Sequence, residues 1–153
     1  AWDRPIGLYS WSPDGETISY DYLTYIPIGS EFIHLNDRHG SAERPLSPDY
    51  DPGYAFNPVF SPQGDMLAYL AQEDSLPEST RYTVYVIEVP DGEPRSLGEF
   101  EQVREISWSP DGGRLIFTAG PFEQQQVLEI LVADGSVNSL AQGGQPAWQP
   151  AAP

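Results

Sequence analysis

The sequence predicts an all-β protein built from repeated four-stranded units, and three observations lead to this prediction. A five-residue motif occurs at residues 11–15, 60–64 and 108–112, and a shortened form occurs at 148–150, with steps of 49, 48 and 40 residues. Apolar and polar residues alternate after each full motif, which is typical of a strand with one buried face. The 16 Pro and 14 Gly are spread along all 153 residues, which favours many short elements joined by turns.

The motif has the form aromatic-Ser-Pro-Asp-Gly and is predicted to build a turn, because Asp side chains cap nearby main-chain amides. The middle copy departs from this form, with Phe60 in place of Trp and Gln63 in place of Asp. The repeated positions, to which we assign a structural role, are Trp11, Pro13, Asp14, Gly15, Phe60, Pro62, Gly64, Trp108, Pro110, Asp111, Gly112 and Trp148.

Each unit contains four predicted strands. The first strand precedes the motif, at residues 7–10, 57–59 and 105–107. The second strand follows the motif and carries a spaced apolar pair: Ile18 and Tyr20, Leu67 and Tyr69, or Leu115 and Phe117. The third strand covers residues 31–35, 83–89 or 127–132 and ends at a glycine-containing turn. The fourth strand carries a leucine, which is Leu46, Leu97 or Leu140.

Four antiparallel strands repeated every 40 to 49 residues are typical of the blades of a β-propeller. We therefore predict a single propeller-repeat domain over residues 1–153, with blades at about 7–47, 56–98 and 104–141. An additional inner strand is predicted at about residues 145–150.

The turn motif, the spaced apolar pair, the Asp-Gly turns and the segments Arg44-Pro45-Leu46 and Arg95-Ser96-Leu97 resemble the TolB-like, or WD-like, propeller repeat. The resemblance covers nearly the whole chain. Residues 146–150 resemble the closing strand of such propellers, which implies that the propeller ends there. TolB-like repeats are associated with cell-envelope proteins and protein contacts, so the resemblance implies a recognition role.

Closed propellers have about 4 to 8 blades, whereas this chain encodes three blades and one extra inner strand. An open arc would expose blade faces and unpaired strand edges, so we expect another chain to complete the assembly. The simplest completion is a homodimer that closes a six-bladed ring, the blade number of the TolB-like family. Two alternatives remain open: blades lost by excision, or head-to-tail contacts that propagate into a filament.

The composition excludes several kinds of partner and site. The 23 Asp and Glu against 7 basic residues give a net charge of −16, so nucleic acid and anionic membrane surfaces are not expected partners. The absence of Cys excludes disulfides and a thiol nucleophile. No apolar run suits membrane insertion, and no phosphate-binding motif predicts a cofactor. The acidity and the absence of Lys suit an external medium or high salt, and the TolB-like resemblance implies an extracellular or periplasmic location.

No catalytic residue and no metal ligand are predicted. His34 and His39 are poorly spaced for a metal, and no Gly-x-Ser-x-Gly elbow marks a serine nucleophile. Asp14 and Asp111 recur with the turn motif and are assigned to it. The acidic loop at residues 49–53 is compatible with calcium, and a solvated acidic loop is the alternative.

The loops predicted to share one face of the ring are rich in aromatic and acidic residues. The candidate partner-binding residues are Tyr22, Tyr25, Tyr50, Tyr54, Phe100 and Phe122. The acidic residues between them are Asp21, Asp49, Asp51, Glu73, Asp74, Glu78, Glu99, Glu101 and Glu123. Such a rim suits the recognition of proteins or glycans, although several rings could instead cover blade junctions.

From these features we predict a non-catalytic scaffold or recognition protein that associates with itself and with envelope proteins or glycans. One alternative is a subunit of an extracellular filament. The other alternative is a propeller-type lyase or a peptidase-associated domain, since some propellers with similar repeats have these roles. A lyase of that kind would need several metal-binding His, and a peptidase would need a further domain.

Overall fold

Three four-stranded antiparallel blades follow one another along the chain, which confirms the predicted all-β propeller architecture. The computed structural model describes residues 6–24, 30–46, 54–72 and 80–148. Blade one comprises β1 (Ile6–Trp11), β2 (Thr17–Thr24), β3 (Ser30–Asp37) and β4 (Arg44–Pro45). Blade two comprises β5 (Tyr54–Phe60), β6 (Met66–Gln72), β7 (Arg81–Glu88) and β8 (Arg95–Glu101). Blade three comprises β9 (Arg104–Trp108), β10 (Arg114–Ala119), β11 (Gln126–Leu131) and β12 (Val137–Gln142), with a 3-10 turn at Phe122–Gln124.

Strands within each blade pair antiparallel with their neighbours in the sequence. Blades one and two are also joined by one parallel pair, Glu31 of β3 opposite Tyr54 of β5. β4 ends before Leu46, yet the Leu46 N–H donates to the Ile33 carbonyl at 2.8 Å. The predicted outer-strand leucine of blade one therefore lies just past the end of a short strand.

The repeated turn is held by the serine and the aspartate of the motif. The Ser109 hydroxyl donates to the Asp111 carboxylate at 2.6 Å and accepts the Arg114 N–H at 3.0 Å. Ser12 and Asp14 form the same 2.6 Å bond in blade one. In blade two, where Gln63 replaces the aspartate, Asp65 supplies the carboxylate instead, accepting from Ser61 at 2.9 Å. The substitution of one motif residue is thus compensated two positions later.

The hydrophobic core lies at the two junctions between blades. Leu67 and Tyr69 of blade two are both 0% exposed and belong to one cluster with Ile33 and Leu35 of blade one. Leu115 and Phe117, their repeat equivalents in blade three, are equally buried, in a cluster with Leu70, Val84 and Val86 of blade two. In blades two and three the spaced apolar pair is therefore the contact with the preceding blade, where burial of apolar surface stabilises the stack.

Two motif tryptophans donate a hydrogen bond to the preceding unit in the same way. The Trp108 indole Nε1–H donates to the Val59 carbonyl of blade two at 2.8 Å. The Trp148 indole Nε1–H donates to the Ser107 carbonyl of blade three at 3.4 Å. In both cases the acceptor is the residue before the motif aromatic of the preceding unit. Residues 145–148 thus lie against blade three where a following blade would begin, although they form no regular strand.

Candidate functional site

Three of the predicted rim aromatics have described side chains, and their environments differ. Tyr54, at the start of β5, is half-buried. Phe100 in β8 contacts Phe117 edge-on, with ring centroids 4.9 Å apart, and so packs at the junction of blades two and three. Phe122 is 81% exposed. Of these three rings, Phe122 presents most of its surface to solvent.

The remaining rim residues lie outside the described part of the molecule. Tyr22 belongs to β2 by its backbone, but its side chain is not described. Tyr25 and Tyr50 fall outside the described residues, as do the acidic loop 49–53 and Glu73, Asp74 and Glu78. Their roles in partner or calcium binding stay predictions.

Phe122 borders a concavity of about 370 Å³ on blade three. The other residues that line it are Glu123, Gln124, Gln125, Gln126, Gln142 and Gly143. Each glutamine amide carries two donor hydrogens and one acceptor oxygen, so the lining offers hydrogen bonds of both kinds beside an aromatic ring. This combination suits a neutral polar ligand with an apolar part. The glutamines were not among the predicted site residues, because no repeat position contains them.

The wall of this concavity is held by main-chain hydrogen bonds. The Gln124 N–H donates to the Pro121 carbonyl at 2.8 Å and closes the 3-10 turn. The Gly143 N–H donates to the Gln125 carbonyl, also at 2.8 Å, and ties the end of β12 to the turn. A Cβ at Gly144 would lie only 2.8 Å from the Gln125 side-chain oxygen, so glycine leaves room for that side chain.

Asp21, predicted as one of the rim acids, is instead buried between blades one and two, with 1% of its surface exposed. Its carboxylate accepts the N–H groups of Leu8 and Asn57, both at 2.8 Å. Burial raises the pKa of Asp21 above its ordinary value, although these main-chain donors oppose the rise. Asp21 therefore joins the inner strands of two blades rather than facing solvent.

A second carboxylate has an equivalent role at the far side of blade three. Glu105 accepts the Gln145 N–H at 2.9 Å. Asn57, Glu105 and Gln145 each lie three residues before a motif aromatic, and they share a positive φ of 56°, 57° and 59°. β5 and β9 thus bulge at the same repeat position, residue 145 has the same backbone conformation, and the carboxylates bind main-chain amides there.

The two histidines lie in blade one. His39 is in an exposed turn, and its Nε2 accepts a hydrogen bond from the Arg38 side chain at 3.2 Å. His34 stacks on Tyr20, with ring centroids 6.0 Å apart, and its Nδ1 lies 3.4 Å from a Glu43 carboxylate oxygen. Within the four described ranges, no group of three or more His, Asp or Glu could hold a metal ion. Over the same ranges, no helix is long and apolar enough to cross a bilayer.

Solved structures with the same fold include propellers of several kinds. TolB from Acinetobacter baumannii matches with a TM-score of 0.64 and 18% identity, over 83% of this chain and 31% of that one. The propeller domain of the Trilobed protease from Pyrococcus furiosus has a TM-score of 0.70 and 14% identity, covering 95% of this chain and 45% of that one. Acylaminoacyl peptidase from Pyrococcus horikoshii has a TM-score of 0.69 and 13% identity, covering 95% and 25%. At these identities the likeness shows the fold alone.

Curated relatives are named as peptidases. Dipeptidyl-peptidase 5 of Porphyromonas gingivalis is 26% identical over 142 residues, which cover 88% of this chain and 21% of that protein. The proteins of the same name from Aspergillus fumigatus and Arthroderma otae are 30% and 31% identical, over 71% and 74% of this chain. The chain spans about a fifth of the length of these relatives. No family profile matches the chain.

These relatives overturn two predictions made from the sequence. The prediction of a non-catalytic scaffold is wrong, and so is the prediction that the protein is not an enzyme, because the curated relatives are named dipeptidyl-peptidases. The alternative of a peptidase-associated propeller fits better. The TolB resemblance is confirmed by the structural neighbours. The chain therefore has a TolB-like β-propeller fold.

Proposed function

We propose that the chain supplies three blades of the β-propeller of a dipeptidyl-peptidase-type enzyme. The observation that carries this proposal is the similarity to proteins named dipeptidyl-peptidase 5, at 26–31% identity over 71–88% of the chain. Propellers of a protease and of an acylaminoacyl peptidase share the fold, which supports the same assignment.

In this proposal the three blades admit and orient the substrate, and groups outside the three blades cleave its peptide bond. The three motif serines support this division of labour. Ser12, Ser61 and Ser109 are 7%, 1% and 0% exposed, and each holds a turn through its hydroxyl. A hydroxyl engaged in this way is not positioned to attack a substrate carbonyl.

Two features of the chain suit a peptide with a free N-terminus. The net charge of −16 attracts the α-ammonium group, because a strongly acidic surface raises the local concentration of cations. The concavity beside Phe122 offers glutamine amides to peptide groups and a ring to an apolar side chain. An extracellular or periplasmic location, which the TolB-like resemblance implies, is part of the proposal.

The activity is tested on the natural protein, captured from its source with an antibody raised against this chain. We expect it to release p-nitroaniline from dipeptidyl-p-nitroanilides with a free N-terminus and not from their N-acetylated counterparts. The counterparts serve as the control for general amidase activity. Equal rates on both substrates, or no release from either, would contradict the proposal.

The role of the concavity is tested by Phe122→Ser. Loss of one aromatic contact, about 1 kcal/mol, is expected to raise KM about fivefold and to leave kcat unchanged. Leu140→Ser removes a comparable exposed apolar side chain from β12 and is the matched control, since Leu140 is 51% exposed and does not line the concavity. A fall in kcat with unchanged KM for the Phe122 variant would argue against substrate contact at this ring.

A further inference from the structure

The concavity beside Phe122 contains a carboxylate, that of Glu123. Glu123 follows Phe122 in the 3-10 turn, and both side chains are exposed. The carboxylates of Glu16, Glu99 and Glu129 each pair with an arginine. Among the residues that the structure describes, Glu123 forms no such pair. The concavity therefore presents an uncompensated negative charge beside an aromatic ring.

The walls of the concavity are built within blades two and three. Gln126 lies opposite Ala119 on one side and opposite Gln142 on the other. Directly opposite residues of antiparallel strands share a face of the sheet, and Ala119 is buried on this face in the cluster shared with blade two. The loop before β11 is also tied to blade two, since the Gly120 N–H donates to the Glu101 carbonyl at 2.7 Å. Gln126 and Gln142 thus belong to the side of blade three that already has its neighbour.

Arginine is the side chain of a peptide that matches this lining. Its guanidinium is opposite in charge to Glu123, and a planar cation of this kind stacks on an aromatic ring such as that of Phe122. A guanidinium has several N–H donors and no acceptor, so the side-chain oxygens of the lining glutamines can bind the donors that the carboxylate leaves over. Its apolar stem can lie along the ring. The ring and the amides alone also suit a neutral group, and the Glu123 charge favours the cation.

The charge of the whole chain favours the same ligand. The net charge of −16 raises the local concentration of cationic peptides and lowers that of acidic ones. This long-range effect brings basic peptides to the surface but selects no position on it. Selection of a position requires an unpaired carboxylate in a shaped site, and Glu123 beside Phe122 supplies both.

We infer that the concavity is a specificity site for an arginine side chain of the peptide substrate. The inference rests on the proposed function, because it takes peptides to be the molecules that these blades meet. In the bound state the guanidinium lies against the Phe122 ring and pairs with the Glu123 carboxylate. The site contributes affinity for the substrate and takes no part in breaking the peptide bond.

The test is the binding of two peptides to the full-length natural protein, expressed with a C-terminal affinity tag and captured through it for surface plasmon resonance. One peptide is acetyl-Ala-Ala-Arg-Ala-Ala-amide, and the other has citrulline, which has nearly the same shape and no charge, in place of arginine. We expect the arginine peptide to bind about fivefold more tightly, the effect of one exposed ion pair with a cation–π contact. Acetylation removes the α-ammonium charge, so the two peptides differ only in the charge of one side chain.

Three variants of the same protein locate the effect. Glu123→Gln keeps the size of the side chain and removes its charge, so it should abolish the preference for arginine and leave the affinity for the citrulline peptide unchanged. Phe122→Leu keeps an apolar side chain and removes the aromatic face, so it should reduce the preference about twofold. Glu93→Gln is the matched control, because Glu93 is an exposed carboxylate in the turn between β7 and β8, outside the concavity. It should leave the preference unchanged.

Equal binding of the two peptides by the unmodified protein would overturn the inference. A preference that Glu93→Gln reduces as much as Glu123→Gln does would also overturn it, since total charge would then be the cause. Binding is measured without cleavage, so the two proposals fail separately. A preference for arginine without release of p-nitroaniline would contradict the peptidase role alone, and release without the preference would contradict the specificity site alone.

Discussion

The aspartates of the tight turns stabilise the fold in their charged form. The Ser109 hydroxyl, followed by the Gly113 amide, holds the pKa of Asp111 below its ordinary value of 3.8. A lowered pKa means that the contribution to stability is present above pH 3.8 and is lost as the pH falls through the lowered value. The pKa values of Asp14, Asp37 and Asp134 are lowered in the same direction, also with a serine hydroxyl as the main cause.

Asp111→Asn is expected to destabilise the chain at pH 7 and to have less effect at pH 3, where the native carboxylate is losing its charge. The measurement is the free energy of unfolding by urea at both pH values. Glu123→Gln, which removes an exposed carboxylate from the 3-10 turn, serves as the control for the loss of one charge. A penalty for Asp111→Asn that does not shrink on acidification would contradict a charge-based role.

Asp21 should show the opposite dependence on pH. Burial raises the pKa of Asp21. Its contribution to the stability of the fold is therefore fully present below pH 3.8 and is lost as the pH rises through the raised pKa. Relative to Asp21→Asn, the native chain is therefore expected to gain stability on going from pH 7 to pH 3. Asp111→Asn, measured in parallel, gives the reverse trend. If acidification changed the stability difference between the native chain and each variant in the same direction, the assignment of Asp21 as a buried, amide-bound carboxylate would be wrong.

At the scale of the strand, β1 has a register irregularity between Ile6 and Tyr9, and Gly7 within it lies so close to Asp21 that only a glycine fits. A Cβ added to Gly7 would lie 2.0 Å from Asp21 Oδ1, far inside contact distance. Gly7→Ala is therefore expected to destabilise the chain by about 1–3 kcal/mol, the usual cost of overpacking. Thermal and urea unfolding measure the change. At Gly113 an added Cβ would lie 3.5 Å from its nearest neighbour, so Gly113→Ala should cost no more than about 0.5 kcal/mol. Equal costs would show that β1 shifts to admit the side chain.

The strands could be predicted because the motif serine and glycine recur in each unit. The apolar residues of the following strand also lie at the same distance from that glycine in every copy. The bulges could not be predicted, since the residues with positive φ at the bulges of β5 and β9 are Asn57 and Glu105, an amide and a carboxylate, neither of which marks a bulge in the sequence. At the bulge of β5 the Asn57 N–H donates to Asp21 of another blade, and the apolar pattern of a single strand does not show such a contact. The sequence predicts Asp21 as an acidic loop residue because its contacts with other strands are not visible in the sequence, although it is buried in the structure.

Across the whole molecule, the sequence indicated an aromatic rim but did not separate its members. Phe122 is solvent-exposed, whereas Phe100 packs on Phe117 of the next blade. Which ring is covered depends on how blades stack, and stacking joins residues that are far apart in the chain. The sequence indicated the relation to peptidases only as an alternative, because no Gly-x-Ser-x-Gly motif marks a nucleophile and the relation rests on similarity to other proteins.

The net charge of −16 makes electrostatic repulsion a property of the whole molecule. Exposed ion pairs oppose it, including Arg38 with Glu16 at 3.1 Å and Arg44 with Asp91 at 2.9 Å. Such pairs contribute about 0–1 kcal/mol each. The 23 acidic residues outnumber the 7 basic ones by more than three to one, so over the whole chain pairs of like charge outnumber pairs of opposite charge.

Salt is therefore expected to stabilise the chain, because the screening length falls from about 30 Å at 0.01 M to about 10 Å at 0.1 M. Long-range repulsion between carboxylates is screened over this range, while paired charges in contact are screened much less. Urea unfolding at the two concentrations measures the change, and sodium and potassium chloride at equal ionic strength should give the same result. A loss of stability with salt would mean that the arginine ion pairs outweigh the excess of carboxylates.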